Sequence, residues 1–320
     1  MNEGLTLNNR RQRLDRARTL SWERFGKRIT FYLPGMFSYN GLSGYYPALS
    51  ITGNRCALQC DHCRGKTLET MVSCTSPEEF LETCMRMHRK GQLGVLISGG
   101  SDKEGRLPWA RFIPAIRKVK EKTSLYVSVH CGLVDDQSAA DLREAGVDQA
   151  LIDVIGDDET YRRVCHVPFG VERIVSSMSA LVRAGLPVVP HIVCGLDYGE
   201  MKGERRAIEM ISRFPVNHVV VVSLMRVSGT PVWNTVSPRA EEIVDIIAET
   251  RIRLPNAIIG LGCARERGNV QVETMALEAG VNRMALPSEQ TIEKAGALGL
   301  EIRYQRTCCS VWSDCSRETW

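Results

Sequence analysis

PALSITGNRCALQCDHCRGK, at residues 47–66, carries three cysteines shortly after an apolar run at 48–51. The run predicts a β-strand, so Cys56, Cys60 and Cys63 lie on the loop that leaves it. Three thiolates within eight residues can hold three irons of a [4Fe–4S] cube. Because the spacing offers no fourth ligand nearby, the fourth iron stays open to bind a small molecule.

The same cysteines could instead bind zinc or form a chance group of thiols. A structural zinc site takes four Cys or His ligands. His62 is a nearby extra donor, but it points the wrong way if Cys60 and Cys63 both bind. The spacing therefore favours the iron–sulfur cluster over zinc.

The triplet, with the aromatic His62 just before its last cysteine, resembles the radical SAM superfamily. In that superfamily the open iron chelates the amino and carboxylate groups of S-adenosylmethionine (SAM). One electron then cleaves the sulfonium to a 5′-deoxyadenosyl radical, which is chemistry of the cofactor. The resemblance implies that Cys56, Cys60 and Cys63 are the catalytic metal ligands and that His62 borders the cofactor.

The composition is that of an ordinary globular chain. Of 320 residues, 43% are apolar and 24% charged, and the net charge of +4 is too small to indicate nucleic-acid binding. There is no apolar run of about 18 residues, which a membrane-spanning helix needs, and the N-terminus lacks an apolar signal core. We therefore expect a cytoplasmic protein whose twelve cysteines serve metal binding rather than disulfides.

From residue 48 onward, apolar runs alternate with helical patterns, which predicts βα units and a parallel sheet. Eight strands are predicted, at 48–52, 94–98, 124–129, 150–154, 188–193, 218–222, 257–261 and 283–286. Helices are predicted after Ser76 and at 136–145, 171–184, 203–213, 237–253, 269–278 and 289–297. The fold class is therefore α/β, a TIM-type (β/α)8 barrel with its active site at the carboxyl ends of the strands. The resemblance implies that it is a radical SAM barrel.

The remaining segments flank this barrel within a single domain. Residues 1–46 form an N-terminal helical extension, with a basic amphipathic helix over 8–27 and a short extended segment at 29–32. The barrel takes residues 47–300. Residues 301–320 form a cysteine-rich C-terminal tail, which we expect to fold across the mouth of the barrel.

Two strand ends are expected to bind the cofactor. The second predicted strand ends in Ser98, Gly99 and Gly100, and glycines let the backbone approach a ligand closely. In radical SAM enzymes a Gly-Gly stretch at this place receives the ammonium group of SAM on exposed carbonyls; an ordinary tight turn is the alternative. Asp153 ends the fourth strand and is a further cofactor-binding candidate, although it could equally satisfy the core.

Cysteines at other strand ends suggest a second, auxiliary iron–sulfur cluster. Cys131, Cys194 and Cys263 follow strands, and Arg265 is nearby as an unusual ligand or a charge partner. This arrangement resembles biotin synthases, whose second cluster sits deep in the barrel. Each cysteine alone could instead be a small buried hydrophobic residue.

The tail offers further thiols. Cys308 and Cys309 are adjacent, and Cys315 follows them. Adjacent Cα atoms lie about 3.8 Å apart, which is below the usual range for a disulfide, so metal ligation is the better account of the pair. The candidate auxiliary ligands are therefore Cys263, Cys308, Cys309 and Cys315. The alternative is an exposed tail that oxidises easily.

Stretches spread over nearly the whole chain identify a narrower branch. They include ISGGSDKEGRLPW at 97–109, PVVPHIVCGLDYGE at 187–200, GLGCARERG at 260–268 and CCS at 308–310. Together they resemble the biotin-synthase-related radical SAM proteins that include one subunit of the two-component lipoyl synthase. Unlike the single-chain lipoyl synthase, this chain has no cysteine before Cys56 and so no N-terminal auxiliary triplet.

The resemblance implies sulfur insertion. The 5′-deoxyadenosyl radical would remove hydrogen from an octanoyl chain on a carrier-protein lysine, and the carbon radical would take sulfide from the auxiliary cluster. The implied partners are a lipoyl-carrier protein or octanoyl-lysine domain, a sister radical SAM subunit, and an electron donor such as ferredoxin or flavodoxin. The alternatives are a biotin-synthase-like or other radical SAM reaction on a free small molecule, and a non-enzymatic iron–sulfur or zinc protein.

Overall fold

One sheet of eleven parallel strands carries the predicted site residues. The structure is a computed structural model that describes residues 2–39 and 41–312. Its strands are β1 (Arg28–Tyr32), β2 (Ser38–Tyr39), β3 (Leu42–Ser43), β4 (Ala48–Ser50), β5 (Val72–Ser73), β6 (Gly94–Ser98), β7 (Tyr126–His130), β8 (Gln149–Asp153), β9 (Val188–Cys194), β10 (His218–Ser223), β11 (Ile258–Leu261), β12 (Arg283–Ala285) and β13 (Glu301–Gln305). Its α-helices are α1 (Asn2–Phe25), α2 (Pro77–Arg89), α3 (Trp109–Lys122), α4 (Asp136–Glu144), α5 (Asp158–Cys165), α6 (Glu172–Arg183), α7 (Glu204–Ile211), α8 (Ala240–Arg253), α9 (Val270–Glu278) and α10 (Glu289–Ala297).

The segment before β4 brings the two ends of this sheet together. The strand order is β13-β1-β12-β11-β10-β9-β8-β7-β6-β4-β5, and β2 pairs separately with β3. The amide of Tyr45 donates to the carbonyl of Arg306, which follows β13, and the carbonyl of Tyr45 accepts from Leu93, which precedes β6. The sheet therefore curls around an interior, and the predicted α/β radical SAM architecture is confirmed.

All eight predicted strands are present, as β4 and β6 to β12, with limits that differ by at most two residues. The sheet also extends beyond the predicted barrel limits, because β1 lies between β12 and β13. In β13 the exposure alternates along the strand, whereas these residues are predicted from the sequence to belong to the tail. The prediction also lacks α3, which contains Pro114, a residue that disfavours helix interiors, and the short α5.

Helix α1 uses its basic residues within the fold. Arg10 and Arg13 both pair with the buried Asp245 of α8, at nitrogen–oxygen distances of 3.1 and 3.0 Å. The predicted basic helix is therefore present and packs on the outer helical layer. Within residues 2–39 and 41–312, no helix is both long and apolar enough to cross a membrane.

The C-terminal tail enters the interior of the sheet. Gln149, the fully buried first residue of β8, donates to the carbonyl of Ser310 at 2.7 Å and accepts from the amide of Trp312 at 2.9 Å. Arg283, the first residue of β12, donates to the carbonyl of Cys309 at 3.3 Å. The expectation that the tail folds across the mouth is therefore wrong for residues 307–312. Buried polar groups near the amino ends of two strands need partners, and the tail backbone supplies them.

Candidate active site

Cys56, Cys60 and Cys63 lie on one loop that follows β4. Cys60 is buried, and the other two are half-buried. Gln59 and Arg64 adopt positive φ angles of 49° and 48°, a left-handed conformation uncommon for residues other than glycine. These two turns bend the chain next to the second and third cysteines, so all three thiols lie on one short, curved loop.

The turn after β6 packs directly against Cys56. The amide of Gly100 donates to Oγ1 of Thr52 at 2.7 Å. A Cβ atom at Gly100 would lie 2.0 Å from the carbonyl oxygen of Arg55 and 2.5 Å from Cβ of Cys56. Only glycine fits at this position. The Ser98–Gly100 stretch therefore makes its close contact with the cysteine loop. Its contact with SAM stays a prediction.

Cys165, at the end of α5, lies against the cysteine loop. Ligand atoms of Cys60, His62 and Cys165 all lie within 4.8 Å of one another. The contact between the two thiols lowers the pKa of Cys60 and raises the pKa of Cys165, which burial raises further. Cys165 was not among the candidate ligands named from the sequence. No spacing signal could have connected two residues that are 105 positions apart.

The geometry of the triplet fits a four-iron cluster better than a single zinc ion. Ligand atoms of Cys56, Cys60 and Cys63 are not all within 4.8 Å of one another, although Cys60 is that close to His62 and Cys165. The three ligands of a cube bind separate irons and need not converge on one point. The Nδ1 atom of His62 is buried and has no hydrogen-bond partner among the residues described. This donor set and the unpartnered imidazole nitrogen fit a [4Fe–4S] cluster with a small molecule beside it.

A buried carboxylate fixes the loop to the neighbouring elements. Asp61 accepts hydrogen bonds from Tyr198 and Arg64, each at 2.5 Å, and lies 3.1 Å from Nε2 of His166. Burial opposes ionisation of Asp61, but the hydrogen bonds from Tyr198 and His166 outweigh it and lower the pKa of the carboxyl group. The charged Asp61 therefore connects the cysteine loop to the end of α5 and to the segment after β9.

Three polar side chains meet near the carboxyl ends of β7, β8 and β9. Nε2 of His130 lies 3.4 Å from Oδ1 of Asp153, and the rings of His130 and His191 are 5.7 Å apart. Burial opposes both charges, but mutual attraction raises the pKa of His130 and holds the pKa of Asp153 well below its usual range. Burial, and then the charge of His130, lowers the pKa of His191 to about 4. The neutral imidazole of His191 thus faces the ion pair of His130 and Asp153. The contact of Asp153 with SAM stays a prediction.

Cys263, Cys308 and Cys309 come together inside the sheet, on an apolar group that includes Tyr32 and Val222. Contact with Cys309 lowers the pKa of Cys308 to about 6, whereas contact with Cys308 and burial raise the pKa of Cys309. Burial, and then Cys308, raises the pKa of Cys263 to about 11. Three of the four candidate auxiliary ligands therefore share one interior region.

The other residues considered for a second cluster do not join this group. Cys131 and Cys194 lie in the main hydrophobic core, where burial raises the pKa of both thiols, so they match the alternative of small buried hydrophobic residues. Arg265 is a charge partner, because its guanidinium lies 2.7 Å from the buried Glu273. Cys315 lies outside the described residues.

Comparison with known proteins identifies two family models in the chain. The model of the radical SAM superfamily matches residues 50–208, and that of the biotin and thiamin synthesis associated domain matches residues 215–316. The biotin synthase of Pelotomaculum thermopropionicum is 28% identical over 239 residues, covering 72% of each chain. That of Citrifermentans bemidjiense is 23% identical over 243 residues, covering 73% of this chain and 72% of its own.

Solved structures share the fold at low sequence identity. Methylornithine synthase superimposes with a TM-score of 0.65 at 18% identity, covering 92% of this chain and 89% of its own. The FeFe-hydrogenase maturase HydG from Carboxydothermus hydrogenoformans gives a TM-score of 0.67 at 17% identity, covering 95% and 74%. At such identities the likeness concerns the fold alone.

The matches confirm the predicted superfamily and its cofactors, a [4Fe–4S] cluster and SAM. Both curated relatives are biotin synthases, so they favour the alternative expectation over the narrower one of a lipoyl synthase. The chain is a radical SAM enzyme by its two matched domains, and its relatives are consistent with the biotin-synthase-related branch of that superfamily.

Proposed function

We propose that this radical SAM enzyme inserts sulfur at an unactivated C–H position, with the sulfur drawn from an auxiliary iron–sulfur cluster. The observation that carries the proposal is the course of the tail, which brings Cys308 beside Cys263 in the interior. A second set of thiols within the same barrel supports a sulfur source close to the place of C–H cleavage. Similarity to biotin synthases supports the same class of reaction.

The cysteine loop and the strand ends around it would form the SAM site. Cys56, Cys60 and Cys63 would hold the [4Fe–4S] cluster, and His62 with Ser98–Gly100 would border SAM. When bound, the cluster and SAM supply one-electron chemistry that breaks an unactivated C–H bond. The close contact of the turn after β6 with the loop supports a site in which a small molecule touches both.

The interior thiols would form the auxiliary site. Contact with Cys309 lowers the pKa of Cys308 to about 6, which favours the thiolate, the form of cysteine that binds metals. Cys263 and Cys309 lie in the same apolar region, and iron would replace their protons on binding. Apolar walls exclude water from a reactive centre, which limits side reactions of a radical.

For the substrate we infer a free small molecule of the kind that a biotin synthase uses. The support is the similarity to biotin synthases, which covers 72% of this chain. Dethiobiotin is the compound that tests this inference. An electron donor such as ferredoxin or flavodoxin would supply the electron for SAM cleavage.

The second candidate substrate is an octanoyl chain on a carrier-protein lysine, and a cavity near the mouth favours it. The cavity has a volume of ≈ 260 Å³ and is lined by Leu33, Phe37 and Leu286, among others, with Arg267 also present. An apolar wall that is open to solvent suits an acyl chain anchored on another protein. A lipoyl-carrier protein or octanoyl-lysine domain and a sister radical SAM subunit would be partners in that case.

The test is anaerobic turnover of the reconstituted enzyme with SAM and a chemical reductant. Dethiobiotin and an octanoyl-lysine peptide are supplied in separate reactions, and 5′-deoxyadenosine and thiolated products are measured by mass spectrometry. A sulfur-containing product from either compound supports sulfur insertion and identifies the substrate class. Formation of 5′-deoxyadenosine with no thiolated product from either compound contradicts the proposal.

A further inference from the structure

His130, Asp153 and His191 form a group of polar side chains. Asp153 is a candidate SAM contact, but the sulfur-insertion chemistry gives His130 and His191 no role. We propose that these three residues bind one divalent transition-metal ion in the barrel interior, as a site additional to the two iron–sulfur clusters. Two imidazoles and one carboxylate suit ions such as Zn²⁺ or Fe²⁺, whereas Mg²⁺ and Ca²⁺ prefer oxygen ligands. The proposal does not depend on which compound receives sulfur.

The sheet places the three side chains on one wall of the interior. His130 and Asp153 are the last residues of the neighbouring strands β7 and β8, and Asp153 stands opposite His191 in the register with β9. Ligand atoms of the three residues lie within 4.8 Å of one another. Because the ligand atoms lie this close together, one ion can contact all three side chains.

The orientation of His191 supports ligation. Its Nδ1 atom lies 3.1 Å from the carbonyl oxygen of Val189. A carbonyl only accepts hydrogen bonds, so Nδ1 carries the hydrogen and Nε2 keeps its lone pair. Histidines that bind metals usually donate their other ring N–H to a carbonyl or carboxylate in this way, which fixes the tautomer and the ring orientation.

An ion pair alone does not account for the third member of the group. The pair needs only His130 and Asp153, which lie 3.4 Å apart. His191 makes no hydrogen bond through Nε2 that is found among the described residues, although its ring is 5.7 Å from that of His130. A bridging cation would use this lone pair, and three protein ligands would leave positions open for water or for a polar group of a substrate.

Zinc is the probe for the test, on the full-length protein reconstituted with its iron–sulfur clusters so that iron occupies the cluster thiols. Equilibrium dialysis against Zn²⁺ with elemental analysis gives the zinc content, and zinc K-edge absorption gives the ligand type. We expect about one zinc per chain, with nitrogen and oxygen ligands at about 2.0–2.1 Å and no sulfur at about 2.3 Å.

Variants separate the proposed ligands from other sites. Each ligand is replaced in turn, by His191→Gln, His130→Gln and Asp153→Asn. Loss of an outer-shell partner lowers metal affinity roughly 10- to 100-fold, so loss of a direct ligand should weaken zinc binding by at least as much. His88→Gln, on the outer helix α2, is the matched control and should bind zinc like the wild type. Equal iron content across the variants shows that each is folded and loaded.

Three results overturn the proposal. They are zinc bound through sulfur, zinc binding that His191→Gln leaves unchanged, and no zinc bound to the wild type. SAM affinity of Asp153→Asn is measured in parallel. Weakened SAM binding with full zinc binding would make Asp153 a SAM contact and not a metal ligand.

Discussion

The two sets of thiols in this chain are built in opposite ways. Cys56, Cys60 and Cys63 occupy one short loop after β4, and left-handed turns next to two of them determine its shape. Cys263 and Cys308 come from distant segments and meet only because the tail runs into the interior. The first set is specified by local sequence and the second by the whole fold, which is why spacing predicts one and only suggests the other.

Replacing a cysteine of the loop should have the largest effect. Cys56→Ala removes one of three iron ligands, so we expect loss of the [4Fe–4S] cluster and of all SAM cleavage. Production of 5′-deoxyadenosine after anaerobic reconstitution is the measurement. Cys194→Ala, which changes a core cysteine outside both sets, is the control and should retain cleavage. Undiminished cleavage by Cys56→Ala would show that the loop is not the SAM site.

Replacing the tail thiols should separate the two sets. In a Cys308→Ala, Cys309→Ala double variant the loop is intact, so SAM cleavage should continue while sulfur transfer stops. Both products are measured in the same reaction, and iron content should fall to that of a single cluster. A double variant that still forms thiolated product would show that the tail has no part in sulfur supply.

The contact between the turn after β6 and the loop offers a smaller change. Gly100→Ala places a methyl group 2.0 Å from the carbonyl oxygen of Arg55. We expect the loop to be displaced and SAM cleavage to be slower. The free energy of unfolding should fall by at least the ~1–3 kcal/mol typical of overpacking. Gly296→Ala is the matched control, since no atom lies within 4 Å of its added Cβ within α10. It should raise the free energy of unfolding by about 0.5–1 kcal/mol. Equal behaviour of the two variants would contradict the close contact.

The ion pair beside Cys263 should affect stability rather than SAM cleavage. Glu273→Gln leaves the buried Arg265 without its carboxylate, which should cost about 3–5 kcal/mol. Burial opposes ionisation of Glu273, but Arg265 outweighs it and lowers the pKa. The pair therefore stabilises the fold at neutral pH, and this stabilisation is lost as the pH falls through the lowered pKa of Glu273.

Chemical denaturation of the cluster-free protein measures this effect. The difference between wild type and Glu273→Gln should shrink as the pH is lowered below about 4.3, the ordinary pKa of Glu. Glu278→Gln removes an exposed pair with Lys294 and should cost only about 0–1 kcal/mol. A difference that does not depend on pH would mean that the charge of Glu273 is not the stabilising feature.

Local patterns in the sequence predicted the cysteine loop and eight strands, because thiol spacing and apolar runs are properties of short segments. They could not predict that β1 lies between β12 and β13, since strand order depends on how the sheet curls. The contact of Cys165 with Cys60 and the meeting of His130 with His191 also depend on register between elements. The tail is held in place by its hydrogen bonds to the buried Gln149, which only the folded interior reveals.

Iron and sulfide content after anaerobic reconstitution tests most directly whether the two sets of thiols hold two clusters. It is measured on the wild type and on a variant with Cys56, Cys60 and Cys63 all changed to Ala. We predict about eight irons per chain, falling to about four in the triple variant, as two four-iron clusters require. About four irons falling to none would leave a radical SAM enzyme without a built-in sulfur source, and would contradict the proposed sulfur insertion.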